Sequence, residues 1–336
     1  MFWHVRPSRI AFALFLAVLF LPGCGRGRER VLEVMYVSAA QASLRDRVAA
    51  VYTKVGTVKN GDRVSVLDRE KRFVKVRTDD GLEGWLEQRY VISQQVYDSF
   101  RKLSKEHAND PLQATGTTRN DTNLHIEPGR ESEHLYQLPL ASKVSILSRG
   151  TAEKSGVVNP QAKKPEGPVL EDWWLVRDAQ NRAGWLLARM VDLDVPLEIA
   201  QYAEGQRFMA FFVLNEVQDG EKKVPQYLAL LSEAKEGQPF DFNKVHVFTW
   251  NVKKHRYETA YRERNLNGVL PVTVTHEDFG KEGDLPVFIL RVKDDVGTVA
   301  ERKYKLNTPI VRRVLAPGEV LAKSSPKPGT GTKKRR

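Results

Sequence analysis

The chain of 336 residues holds a single cysteine, Cys24, and one thiol excludes both an internal disulfide framework and every multi-cysteine metal site. The local signatures of hydrolytic and phosphoryl chemistry are missing. There is no His-Glu-x-x-His helix, no Gly-x-Ser-x-Gly elbow and no P-loop. His246, His255 and His276 are separated by 9 and 21 residues, which fits no local metal motif. The run His276-Glu277-Asp278 would serve a metal or an acid/base pair only if a distant carboxylate converged on it. We therefore expect a chain that is not an enzyme, with no metal and no cofactor. Binding chemistry is sought instead in the aromatic residues Phe73, Tyr90 and Trp173 and in Met190.

The surroundings of Cys24 are informative. Arg6 and Arg9 precede an apolar run at 10–21, and these 12 residues are too few to cross a hydrocarbon layer that needs about 20. The pattern is that of an export signal. Leu21-Pro22-Gly23-Cys24 resembles the lipobox of bacterial lipoproteins. That resemblance implies cleavage after Gly23, a diacylglyceryl group on the Cys24 sulfur and acylation of the new amino group. Residues 1–23 are then a signal peptide and 24–33 a lipidated linker. Acyl chains contribute about 0.8 kcal/mol per buried CH₂, and two suffice for stable anchoring, so a membrane is the first expected partner. Gly25 stands where aspartate would retain a lipoprotein at the inner membrane. The implied location is the cell envelope, at the outer membrane facing the periplasm. A secretory peptide with a chance cysteine is the alternative.

The first half of the chain repeats itself. Val76-Arg77 matches Val176-Arg177, Gly84-Trp85-Leu86 matches Gly184-Trp185-Leu186, and Arg89 and Val91 match Arg189 and Val191, all at an offset of 100. Upstream, Arg63-Val64-Ser65-Val66-Leu67 matches Lys143-Val144-Ser145-Ile146-Leu147 at an offset of 80, so the second copy carries a 20-residue insertion. Alternation with period two places Val64, Val66, Val74 and Val76 on one face of a strand pair, with Val144, Ile146, Trp174 and Val176 as counterparts. Thr78-Asp79-Asp80-Gly81 supplies the turn between two such strands.

These residues resemble the bacterial SH3 (SH3b) family of small five-stranded barrels. Leu44-Arg45-Asp46 and Leu124-His125-Ile126 stand at its opening motif, Gly61-Asp62-Arg63-Val64 at its Gly-x-x-Val strand, and Asp172-Trp173-Trp174-Leu175-Val176 at its tryptophan strand. The second copy has Asn181 in place of a glycine in its last hairpin, and Glu127 where the family prefers arginine. The expected fold class is mainly β: barrels at 34–92 and 114–195, the latter with an insertion at 148–171, joined by a helix within 93–110. An antiparallel sandwich or barrel follows at 198–315, and a disordered basic tail at 316–336.

What the resemblance implies about binding is an extended peptide laid on an aromatic groove. The groove tryptophan transfers to Trp173 and, in the first copy, to Phe73. The groove tyrosine transfers to Tyr90, with Met190 in its place in the second copy. Alternation also points Phe73 and Trp173 away from the core, because Val74 and Trp174 must face it. Glu87 and Leu187 replace the groove proline of eukaryotic relatives, which speaks against a PxxP ligand. Cell-wall peptide or an envelope protein is the expected partner. Alternatively, Trp173 packs under the insertion, whose Gly and Pro content favours a mobile loop. Trp85 and Trp185 are expected in the cores.

Val96, Phe100 and Leu103 mark one face of the linking helix, with Ser93 as its cap and Asp110-Pro111 as its stop. The third region shows strand-like runs at 208–214, 227–231, 245–250, 257–261, 269–275, 287–292 and 301–306, with Asp219-Gly220, Asn267-Gly268 and Asp294-Asp295-Val296-Gly297 among the turn signals. Its aromatics, from Phe208 to Tyr261, could line a ligand cavity or fill a core. A hydrolase or ligand carrier built on this region, with the barrels only targeting it, is the competing reading. The net charge of +11 suggests a nucleic-acid binder until it is located. Arg6, Arg9, Arg26, Arg28, Arg30 and the last 20 residues supply most of it, so no folded region has a phosphate-binding bias and no nucleic acid is expected.

Overall fold

Alternating apolar residues dominate the sequence, and in a computed structural model describing residues 30–155 and 168–315 the chain is mainly antiparallel β, arranged as three seven-stranded sheets. Cys24, the signal segment, residues 24–29 of the linker, the middle of the insertion at 156–167 and the tail at 316–336 lie outside the described residues. Among the described residues no helix is long and apolar enough to cross a membrane.

The first sheet comprises β1 (Glu33–Val37), β2 (Gln41–Arg45), β3 (Lys54–Lys59), β4 (Arg63–Glu70), β5 (Phe73–Thr78), β6 (Glu83–Glu87) and β7 (Val91–Ser93). The second comprises β8 (Ala114–Thr118), β9 (Thr122–His125), β10 (His134–Leu138), β11 (Lys143–Glu153), β12 (Leu170–Asp178), β13 (Ala183–Leu187) and β14 (Val191–Leu193). Hydrogen-bonded order is β3-β2-β6-β5-β4-β1-β7 in the first and β10-β9-β13-β12-β11-β8-β14 in the second. The two are the same order shifted by seven strands. Val64, Val66, Val74 and Val76 are fully buried in the first unit, and Val144, Ile146, Trp174 and Val176 are buried in the second. The β5–β6 turn is closed by Gly81 with φ +86°, and the β12–β13 turn by Asn181 with φ +59°. Asparagine tolerates the left-handed region, so the hairpin survives the loss of glycine.

Between the units, α1 (Gln94–Glu106) starts where Ser93 Oγ accepts a hydrogen bond from the Val96 N–H. It is wedged between both sheets. Tyr97 stacks on Tyr36 of the first unit at 3.7 Å, and fully buried Phe100 meets Tyr136 of the second edge-on at 5.7 Å. Ser104 Oγ accepts from the Ala183 N–H.

The third sheet is a meander, β15 (Arg207–Asp219), β16 (Lys222–Ser232), β17 (Phe242–Asn251), β18 (Arg256–Asp278), β19 (Asp284–Lys293), β20 (Val299–Asn307) and β21 (Ile310–Val314), paired in chain order. A short helix, α2 (Leu197–Ala200), precedes it and buries Ile199 against Phe248 and Tyr227 on one face. The other face shares one apolar cluster with the second unit and α1. Gln113 ties the two together: its Nε2 donates to the Val272 carbonyl and its Oε1 accepts from the Val272 N–H, with the side chain fully buried.

Several expectations are corrected. Each SH3-like unit has seven strands where five were expected, in one sheet whose hydrogen-bonded order shows no closing pair. The strands of the third region pair in chain order as one meander, with no closing pair between β15 and β21. Its expected runs at 257–261 and 269–275 are one 23-residue strand. Asn267-Gly268 is strand interior, and Gly268 is needed for close packing, since a Cβ there would lie 2.2 Å from the Phe242 ring. The ends of the insertion are strand, with pairing extended to Glu153 and Leu170, because a continued ladder satisfies backbone groups that a loop would leave to water. Trp85 and Trp185 are half-buried on the outer faces, while their neighbours Leu86 and Leu186 occupy the cores. Phe73 and Trp173 do lie opposite the core residues, but they are 5% and 2% exposed and so are not solvent-facing.

Candidate functional site

The outer face of the second unit follows from strand register. Trp173 pairs with Leu187, Leu175 with Trp185, and Trp185 with His125, so these side chains share the side away from Trp174 and Val176. His125 meets the Trp173 ring edge-on at 5.2 Å. Its Nδ1–H donates to the Ser132 carbonyl at 3.0 Å, and burial holds the imidazole below its ordinary pKa, so the ring is neutral near pH 7. A concavity of about 390 Å³ opens there, walled by Trp173, Leu187, Met190, His125, Arg130 and Arg189. Beneath its rim Glu171 is 2% exposed, yet its carboxyl lies below the ordinary range because Arg130 donates to both oxygens, at 2.8 and 2.6 Å. Arg189 reaches the same carboxylate from 3.4 Å. The Trp173 Nε1–H is buried with no acceptor.

The first unit carries different chemistry on the same face. Phe73 pairs with Glu87, and Arg45 bridges to Glu87 at 3.1 Å while its guanidinium lies 4.1 Å over Tyr52 and 5.0 Å over Phe73. Arg89 also pairs with Glu87, at 2.9 Å, and lies 4.7 Å over the Tyr90 ring. A concavity of about 500 Å³ beside Phe73 is walled by Arg45, Ala49, Lys71 and Arg72. Tyr90 is not among its walls. Of the four residues singled out in sequence, the structure therefore brings Trp173 and Met190 together in one concavity and leaves Phe73 and Tyr90 apart.

Sequence reasoning missed Arg45, Glu87, Glu171, Arg130 and Arg189. One signal was within reach. Arg89 and Arg189 match at the offset of 100, while the same offset exchanges Glu87 for Leu187 and Tyr90 for Met190. Retained arginine beside lost partners marks a changed charge environment.

The histidines of the third region do not converge. His246 is 2% exposed with neither ring nitrogen hydrogen-bonded, and burial pushes its pKa down to about 4. His255 is exposed and pairs with Asp219 at 2.7 Å, and His276 is exposed on β18. Among the described residues no group of three metal-ligating side chains occurs.

A bacterial SH3 domain is found by its family model at residues 42–92, which takes in β2 to β7 of the first unit. None of the curated proteins compared with the chain matches it. Solved structures that match include an NlpC/P60 family protein from Bacillus cereus, at 11% identity and a TM-score of 0.23, covering 82% of this chain and 95% of that one. NlpC2 from Trichomonas vaginalis matches at 10% identity and a TM-score of 0.18, covering 84% and 95%. NlpC1 from the same organism matches at 9% and 0.17, covering 69% and 92%. The expectation that the chain is not an enzyme is withdrawn. That expectation rested on missing contiguous motifs, and catalytic groups can also converge from distant positions.

Proposed function

We propose that the chain is a cell-envelope protein that holds peptide of the cell wall on SH3-like units, with the second unit as a further bacterial SH3 domain. A lipid on Cys24 would tether it to the outer membrane, facing the periplasm. The observation that carries this reading is the concavity of Trp173, Leu187 and Met190, set on a sheet whose strand order repeats that of the unit containing the matched domain. An aromatic ring flanked by Leu187 and Met190 and by the polar groups of the rim suits an extended peptide, because ring contacts tolerate varied side chains. One fractionation tests both parts. In cells fed a palmitate analogue the chain should carry the label, and Cys24→Ser should lose it. Purified chain should pellet with isolated cell-wall sacculi, and Met190→Asp should lower the bound fraction at least about fivefold without changing the melting curve. An unlabelled parent removes the anchor, and undiminished pelleting of the variant removes the groove.

A second reading gives the work to the third sheet, with the SH3-like units as its targeting arm. It is favoured by His246, a sealed imidazole with two free nitrogens under the chain segment that follows α2. Release of soluble peptide from the same sacculi, abolished by His246→Phe, is the outcome that distinguishes it.

A further inference from the structure

We propose that the second unit's concavity selects a free carboxylate on the peptide it holds, with Arg189 as the receiving group. This rests on the peptide-holding reading and names what the groove selects. The two units act as each other's control. In the first, Arg89 has two close partners although its side chain is 70% exposed: Glu87 takes its Nε–H at 2.9 Å, and Tyr90 lies under its guanidinium and accepts from Nη2 at 2.7 Å. In the second, the equivalent arginine has lost both partners, since Leu187 stands for Glu87 and Met190 for Tyr90. The remaining neighbour, Glu171, already receives two hydrogen bonds from Arg130. Its 3.4 Å separation from Arg189 leaves most of that guanidinium's five donors uncommitted, and the side chain is 48% exposed. Arg189 therefore presents a cation, beside Arg130, at the wall of a concavity that also holds Trp173, Leu187 and Met190.

Two further observations point the same way. The Trp173 indole N–H is buried in that wall without an acceptor, an unusual state for a donor in a folded protein. The other acid at the rim, Asp121, accepts from the Leu140 N–H at 2.8 Å, and Arg130 and Arg189 outnumber it there. A planar carboxylate matches a guanidinium fork and supplies acceptors on both sides, whereas an amide offers only one oxygen and adds donors facing a cation.

The test uses the full chain and a stem tetrapeptide cut from the cell wall, prepared with its carboxylates free and with all of them amidated. Affinity is read by calorimetry, and the Trp173 indole resonance by NMR, assigned through Trp173→Phe. The free acid should bind at least about tenfold tighter than the amide and shift the indole resonance. Arg189→Gln should erase that preference, and Leu187→Glu, which restores the first unit's internal partner, should do the same with an unchanged melting curve. Equal binding of acid and amide overturns the proposal and leaves the peptide reading standing. A preference that survives Arg189→Gln overturns the assignment to that residue. If neither peptide binds, the peptide reading falls and the proposal falls with it.

Discussion

Phe73 and Trp173 occupy the same place on two sheets of identical strand order, yet the faces around them are wired differently. In the first unit one carboxylate, Glu87, clamps Arg45 and Arg89 across the face, and both guanidiniums also cover aromatic rings. In the second, His125, Leu187 and Met190 replace Arg45, Glu87 and Tyr90, and the acid has moved beneath the rim as Glu171. A strand order preserves where side chains point and leaves their charge free to vary. The first face engages Arg45 and Arg89 on one carboxylate; the second leaves Arg189 with a single longer contact, to Glu171, beside a wall that buries an indole N–H without an acceptor.

The units also differ in how they join their neighbours, and breaking that difference gives the largest expected effect. Asp172 is fully buried, receives Arg149 Nη2 at 2.5 Å and the Gly237 N–H at 2.9 Å, and also pairs with Arg207 at the start of the third sheet. Its counterpart Arg72 is exposed, as is Arg69, the counterpart of Arg149. Asp172→Ala should cost about 3 kcal/mol, since it leaves buried Arg149 with only part of its partners. Arg72→Ala should change stability by less than about 0.5 kcal/mol. Chemical denaturation followed by tryptophan emission reads both, and equal effects would show that the second unit is no more firmly joined than the first.

How much of this was legible in the sequence follows from the range of each interaction. The core valines, the Asp-Gly turn and the Ser93 cap were readable because alternation and capping act over a few residues, and those residues are buried or bonded as expected. The partners of Asp172 come from positions 149, 207 and 237, and no local pattern announces a convergence of that kind. The outward placement of Trp173 was readable from Trp174, and its burial was the alternative that the insertion offered; the edge-on contact with His125 was not readable, because it comes from elsewhere in the chain. Gly268 misled for a related reason: a glycine beside asparagine reads locally as a turn, whereas here it makes room for Phe242.

A smaller effect sharpens the contrast between the outer faces. Gly150 lies where the first unit has Glu70, and a Cβ on it would come within 2.8 Å of the Trp185 ring and 3.1 Å of Pro128. The Trp185 ring thus lies flat over a bare stretch of backbone that the first unit does not possess. Gly150→Ala should displace the ring and cost about 1 to 2 kcal/mol by overpacking. Glu70→Ala should cost almost nothing. The check is the melting temperature together with Trp185 emission, and an unshifted spectrum in Gly150→Ala would mean that the ring does not depend on the glycine.

The smallest expected difference lies in the response to acid. His125 stands where the first unit has Arg45. Burial lowers the folded-state pKa of His125 below 6.5, opposed by its hydrogen bond to Ser132 and reinforced by nearby His134. The unfolded chain therefore takes up a proton near pH 6.5 that the folded unit refuses. Stability falls as pH drops from that point and levels off once pH passes below the folded value. His246 adds a slope of the same sign, so the measurement is a difference between variants. Between pH 7 and pH 5, His125→Gln should flatten the decline in denaturation midpoint, because glutamine keeps a donor for Ser132 and has no proton to gain. Arg45→Gln should leave the slope as it was. If His125→Gln declines as steeply as the parent, the imidazole is not shielded in the folded unit, and the outer face of the second unit is wetter than its packing against Trp173 requires.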